Sequence, residues 1–210
     1  MPGHHRDAPR AGDAAQRQRH RPRLARHRAG RLHRLRNLHQ GLRPCRHRAH
    51  GIRRGRSRMS TDILVVGIGG QGVMTAAETL ARAALAAGLE ATKTEVAGMS
   101  QRGGVVCSQV RIGEHIEATE VPPGQAKLLI AFESAEGLRW SHYLAPSGRA
   151  YVDSWRAVPP VVSSGHFEYP KAPAADMRDA GVDVVELDAR AIAARLGDVR
   201  LANSVMLGAA

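Results

Sequence analysis

Asp62 to Gly67 reads DILVVG, and the turn IGGQG and a run of apolar residues at helical spacing follow it. A short, unbroken apolar run rich in β-branched residues and closed by glycine is the pattern of a strand buried on both faces. Val73, Ala77, Leu80, Ala84 and Leu85 then recur on one helical face, and Gly88 suits the position just past a helix end. The spacing predicts a helix from Gln71 to Ala87. EATKTEV, from Glu90 to Val96, reads as a second strand. One strand–turn–helix–strand unit of this kind commits the chain to an α/β layer structure.

Further along, GVVCSQVRIG and EHIEATEV alternate around IGE as the two arms of a hairpin would. AKLLIAF reads as a buried strand, SAEGLRWSHYLA as a helix, and GRAYVDS as a strand after the Pro-Ser-Gly turn. VDVVELDA reads as a late strand leading into the helical RAIAARLG. VRLANSVMLGAA reads as a helix still in progress, so the domain is expected to be cut short at its C-terminus.

The net charge of +12 is not spread along the chain. Residues 1–58 hold 18 Arg, eight His, two acids and no Lys, whereas the chain from Met59 has 13 Lys and Arg against 17 acids. All seven aromatic residues follow Met59. The first block cannot bury enough apolar surface to offset its ordering entropy, so it is expected to be disordered. Three readings compete for it: a phosphate-binding basic arm, a His-rich metal tract, or residues from a mis-set start. Arg without Lys is the product of off-frame GC-rich coding, and MSTDILVVGIGGQG offers a natural start at Met59. The third reading is favoured, which divides the chain into a non-native 1–58 and a domain over 59–210. The chain has no apolar run long enough for a membrane span or a secretory signal, so the body is expected to be cytoplasmic, with no membrane and no nucleic acid as partner.

Gly67, Gly69 and Gly72 satisfy G-x-G-x-x-G between a strand and a helix. Glycines there permit a tight turn and close approach of a phosphate to the helix N-terminus. They serve equally to pack helix on strand. A dinucleotide site also wants an acid after the second strand, and Glu95 stands near the expected place. A free-standing Rossmann-type NAD(P)-dependent oxidoreductase is therefore the alternative function. A second glycine loop, TEVAGMSQRGG from Thr94 to Gly104, presents Arg102 as a possible phosphate or carboxylate clamp, or as a solvated arginine. Cys45 and Cys107 are the two cysteines, too few for a four-cysteine iron–sulfur site, and Cys107 reads as a buried core residue.

GIGGQGV, TEVAGMSQRGGVV and VPPGQAKLLIAFES in this order resemble the γ-type subunit of 2-oxoacid:ferredoxin oxidoreductases, most closely the indolepyruvate-type β subunit. Gly67, Gly69, Gly70, Gln71 and Gly72 match the first motif; Gly98, Met99, Ser100, Gln101, Arg102, Gly103 and Gly104 match the second. The resemblance implies a subunit of an enzyme that decarboxylates a 2-oxoacid, passes electrons to ferredoxin and forms an acyl-CoA. Thiamine diphosphate and [4Fe–4S] clusters are then expected on a partner α subunit, with coenzyme A as cosubstrate, and these glycine residues become a cofactor-binding or interface loop. The family often has a histidine where Ala97 stands, so no proton transfer is assigned there. None of His115, His142 and His166 lies in a motif; no catalytic residue and no metal ligand is assigned. The fold expected is α/β: a Rossmann-like open, mostly parallel sheet with helices on both faces and an antiparallel hairpin insertion, after a disordered N-terminal extension.

Overall fold

A computed structural model describes residues 60–97, 104–157 and 168–210. The strands are β1 (Thr61–Ile68), β2 (Glu90–Ala97), β3 (Val105–Gly113), β4 (Ala126–Ala131), β5 (Leu144–Asp153) and β6 (Asp183–Leu187). They form one sheet in the order β2-β3-β1-β4-β5-β6. β1, β4, β5 and β6 are mutually parallel, while β3 runs antiparallel to both β1 and β2. The helices are α1 (Val73–Ala86), α2 (Ser134–Trp140), α3 (Pro173–Asp179), α4 (Ala189–Arg195) and α5 (Ala202–Ala209).

Both faces of β1 are covered, which is why its sequence is apolar without alternation. Ile63 and Val65 pack with Val73, Ala77 and Ala81 of α1, Ala189 of α4 and Met206 of α5. Leu64 and Val66 pack on the opposite face with Cys107, Leu138 of α2 and Met177 of α3. The small residues on the inner face of α1 let that helix lie close to the sheet. Gly88, with φ of 79°, ends it as the sequence predicts.

The hairpin centred on IGE does not form. Residues 114–121 hold no strand, and the antiparallel partner of β3 is β2, from Glu90 opposite Gly113 to Ala97 opposite Val106. Side chains of the sheet capture the backbone of this segment instead. Glu90 accepts from the Ile116 amide at 2.8 Å, and Arg111 donates to the carbonyls of Ala118 and Glu120 at 3.1 and 3.2 Å. Thr94 donates to Thr119 O at 3.2 Å, and Gln109 accepts from the Val121 amide at 2.7 Å. Alternation in EHIEATEV thus marks a strap that crosses the sheet face.

Other boundaries shift for local reasons. The helix at Ser134 gives way after Trp140 to a single tight turn, Ser141–Tyr143, because Leu144 already pairs with Ala126. The Pro-Ser-Gly turn lies inside β5 as an irregularity: the register jumps from Ala126 opposite Leu144 to Leu128 opposite Arg149. Gly148 is needed there, since a Cβ would stand 2.6 Å from the Ala126 carbonyl oxygen. α3 lies outside the helices expected from the sequence, although Pro173 at its start and Gly181 with φ of 88° after its end are ordinary helix signals.

Candidate functional site

α1 leaves β1 towards one face of the sheet, and α2 leaves β4 towards the other. The crevice between the carboxyl ends of β1 and β4 is therefore the topological switch point, the place where open α/β sheets receive ligands. Gly69, Gly70, Gln71 and Gly72 stand there, in the turn from β1 to α1, and Gly67 stands just before them, one residue from the end of β1.

Gln71 spans this crevice. Its Oε1 accepts the Ile68 amide at 2.7 Å, and its Nε2 donates to the Phe132 carbonyl at 2.7 Å. The Phe132 amide in turn donates to Val66 O at 2.9 Å. A Cβ on Gly67 would stand 2.6 Å from Gln71 Oε1 and 3.2 Å from Phe132 Cβ, so glycine is required for the bridge to close. Gly70 and Gly72 have φ of 97° and 84°, in the region where a side chain is strained. A Cβ on Gly72 would also stand 2.7 Å from Nδ2 of Asn203, which α5 places against the start of α1. Gly72 supplies no side-chain cap, and its carbonyl accepts the Ala76 amide at 2.9 Å.

The second motif reaches the same edge from β3. Gly104 accepts the Gly69 amide at 2.8 Å. Gly98, Met99, Ser100, Gln101, Arg102 and Gly103 lie outside the described residues, as do His166, Cys45 and the whole of 1–58.

Glu95 does not serve as a ribose acceptor. β3 separates β2 from β1, so Glu95 stands on a strand that is not adjacent to the glycine turn. Its carboxylate is also taken by Lys93, with Nζ at 2.8 Å, which the Glu78 carboxylate of α1 shares at 2.9 Å. The residues present do not fit a ribose site of the dinucleotide type, and the NAD(P) alternative is not favoured.

Acids that the sequence did not single out gather beside the switch point. Glu133, 2% exposed, accepts the Glu136 amide at 2.8 Å, the Ala157 amide at 3.3 Å and the Tyr169 hydroxyl. Burial, and then the Glu133 carboxylate, raise the Tyr169 hydroxyl above its ordinary value, which keeps it a donor. Burial pushes Glu136 up to about 7, against the opposing pull of Arg139, whose Nε lies 3.0 Å away. Asp153 at the end of β5 accepts from the amides of Trp155 and Ala189 at 3.2 and 3.3 Å, and burial raises it too. An acid directly after a buried apolar strand, as in AFES, is the signal that could have drawn notice to Glu133.

Cys107 is fully buried, and burial followed by the charge of Glu136 pushes its thiol up to about 12. A single buried thiol does not fit the four-thiolate requirement of an iron–sulfur cluster. His115 lies 3.4 Å from Glu90, and His142 Nδ1 lies 2.9 Å from Arg139 O, both away from the switch point. Among the described residues no group of three or more His, Cys, Asp or Glu could hold a metal ion, and no helix is long and apolar enough to cross a membrane.

These features define an open α/β domain of dinucleotide-fold type whose switch-point crevice is bridged by its own glutamine. The chain belongs to the pyruvate ferredoxin/flavodoxin oxidoreductase family, whose sequence model matches residues 62–210. The indolepyruvate oxidoreductase subunit IorB of Archaeoglobus fulgidus is 38% identical over 152 residues, covering 71% of this chain and 75% of that protein. The subunit of the same name from Thermococcus kodakarensis is 39% identical over 154 residues, covering 70% and 75%. The γ subunit of a keto/oxoacid ferredoxin oxidoreductase from Geobacter sulfurreducens superposes with a TM-score of 0.50 at 26% identity, over 71% of this chain and 74% of that one. Pyruvate oxidoreductase subunit PORC of Thermotoga maritima shares the fold, with a TM-score of 0.52 at 22% identity over 71% and 74%. The resemblance carried by the glycine motifs is thereby established.

Proposed function

We propose that this chain is the β, γ-type companion subunit of a 2-oxoacid:ferredoxin oxidoreductase of the indolepyruvate type. The complex converts an arylpyruvate and coenzyme A to acyl-CoA and carbon dioxide, with two electrons passed to ferredoxin. The observation that carries this reading is the Gln71 bridge: a switch-point crevice spanned by the chain's own amide suits a preformed surface better than a pocket for a private cofactor. The 38% identity to IorB over 75% of its length supports the indolepyruvate assignment.

In this reading thiamine diphosphate and the [4Fe–4S] clusters belong to the partner α subunit and supply the decarboxylation and electron transfer. This chain's own residues hold a surface. Gly67 and Gln71 lock the turn, Gly70 and Gly72 shape it, and Gly69 ties it to Gly104. Gly98 to Gly103, with Arg102 among them, complete the interface in the same proposal.

The test is co-expression with the α subunit. The complex is expected to reduce ferredoxin with indolepyruvate and coenzyme A, and neither chain alone to do so. Activity of this chain alone, or tight binding of a nicotinamide dinucleotide to it, would overturn the assignment.

A further inference from the structure

We propose that Glu133 is a positioning residue for the glycine turn: its buried carboxylate draws Ala157 and Tyr169 to the end of β4 and, through the adjoining Phe132 carbonyl, sets where Gln71 stands. The functional consequence rests on the reading of that turn as the surface met by the partner subunit.

A carboxylate only 2% exposed is costly to bury unless donors surround it. A capping role for α2 needs only the Glu136 amide, 2.8 Å away. The other two donors come from 24 and 36 residues further along the chain, which helix capping does not explain. They bring the stretch after β5 and the stretch before α3 onto one carboxylate. Arg156 supports this assembly from outside, stacking 5.8 Å from the Tyr169 ring centroid and donating to Lys171 O at 2.7 Å.

From Glu133 to the turn there is little slack. Phe132 is held on both sides, its amide on Val66 O at 2.9 Å and its carbonyl on Gln71 Nε2 at 2.7 Å. With both its amide and its carbonyl engaged, the peptide cannot rotate without breaking one of these two bonds to the β1 end and the turn. Gln71 carries any such displacement to the Ile68 amide, 2.7 Å from its Oε1. Glu133 thus acts at a distance, through Phe132 and Gln71.

The test substitutes Tyr169→Phe in the full chain, which removes one donor and keeps the ring. Amide hydrogen exchange is followed on the peptide covering residues 66–73, alone and in a Gln71→Met background. Exchange there is expected to quicken about fivefold in the single variant, since a buried acceptor has lost a donor and local opening becomes easier. In the Gln71→Met background Tyr169→Phe should add nothing, because the link is already cut. Unchanged exchange in the single variant, or equal acceleration in both backgrounds, would overturn the proposal. Should Tyr169→Phe fail to fold, Glu133→Gln, of the same shape, is read against the same two outcomes. Titration of the Tyr169→Phe chain into the α subunit separates this inference from the function beneath it. The half-saturating concentration should rise severalfold, with kcat and KM for indolepyruvate at saturation unchanged. Faster exchange with unaltered assembly supports the coupling and removes the turn from the interface.

Discussion

Gly69 donates its amide hydrogen to the carbonyl of Gly104 at 2.8 Å, joining the two glycine motifs across the end of the sheet. The contact exists because β3 returns between β2 and β1 and so delivers the end of the second motif beside the first. Gln71 and Gly67 hold the first motif's side of this junction.

Replacing Gln71 with leucine should be strongly destabilising. The Ile68 amide and the Phe132 carbonyl lose their side-chain partners together. Leaving two part-buried polar groups unmet costs about 2 to 4 kcal/mol. In urea the unfolding midpoint should fall while the slope with denaturant stays the same.

Gly67→Ala should act through the same bridge. The new methyl group would meet Gln71 Oε1 at 2.6 Å and Val73 Cγ2 at 3.1 Å. Overpacking of this kind costs about 1 to 3 kcal/mol. In a Gln71→Ala background the first clash disappears, so the two losses should sum to less than their separate values. A double-mutant cycle on denaturation midpoints measures the difference.

Arg111 and Asp62 form a forked pair, with Nε to Oδ1 at 2.9 Å and Nη2 to Oδ2 at 3.2 Å. Asp62 is only 4% exposed, and Arg111 also holds the strap at Ala118 and Glu120. Arg111→Ala strands a buried carboxylate and should cost about 3 to 5 kcal/mol. Arg111→Lys keeps the charge without the fork and should fall between the two. Faster proteolysis within residues 114–121 is the companion readout.

Glu136 makes stability depend on pH in a stated direction. Its folded value, about 7, lies above the ordinary 4.5, so the folded chain binds more protons than the unfolded one between them. Stability from this group therefore falls as pH rises from 4.5 to about 7 and is level above that. Glu136→Gln should remove this slope and stabilise the protein above neutrality, by on the order of 1 to 3 kcal/mol. Because burial raises Asp153 as well, the measurement is the difference between variant and wild type across the pH series.

Cys107 should be inert in the folded protein. It is completely buried and its thiol is pushed up to about 12, so thiolate is scarce at any ordinary pH. In a Cys45→Ser variant, maleimide labelling should proceed only as fast as the domain opens. Rapid stoichiometric labelling under native conditions would contradict the buried placement.

Much of the fold around the glycine turn was readable along the chain. DILVVG, the glycine turn and the Ala-rich helix appear within two residues of their expected bounds, and Gly67 to Gly72 lie where a strand-to-helix turn must put them. The acids were less readable. Glu133 looks like a helix-starting acid, and nothing near it in sequence announces Ala157 and Tyr169 as its donors. Glu95 looked like a cofactor ligand until the order β2-β3-β1 set a strand between it and the turn.

Residue pattern alone was enough for β1, α1 and the membership of the chain in its family: an unbroken apolar run marks burial on both faces whatever covers it, while backbone sterics at φ of 84° to 97° and helical periodicity act between near neighbours. The partner of β3, the strap over residues 114–121 and the bridge from Gln71 to Phe132 depended on the folded arrangement. Strand pairing is a competition between segments, and here Arg111, Gln109, Thr94 and Glu90 satisfy the strap's backbone groups in place of a ladder. A polar group answers to whichever partner the packed sheet brings within hydrogen-bonding distance, and for Gln71 that partner lies 61 residues away.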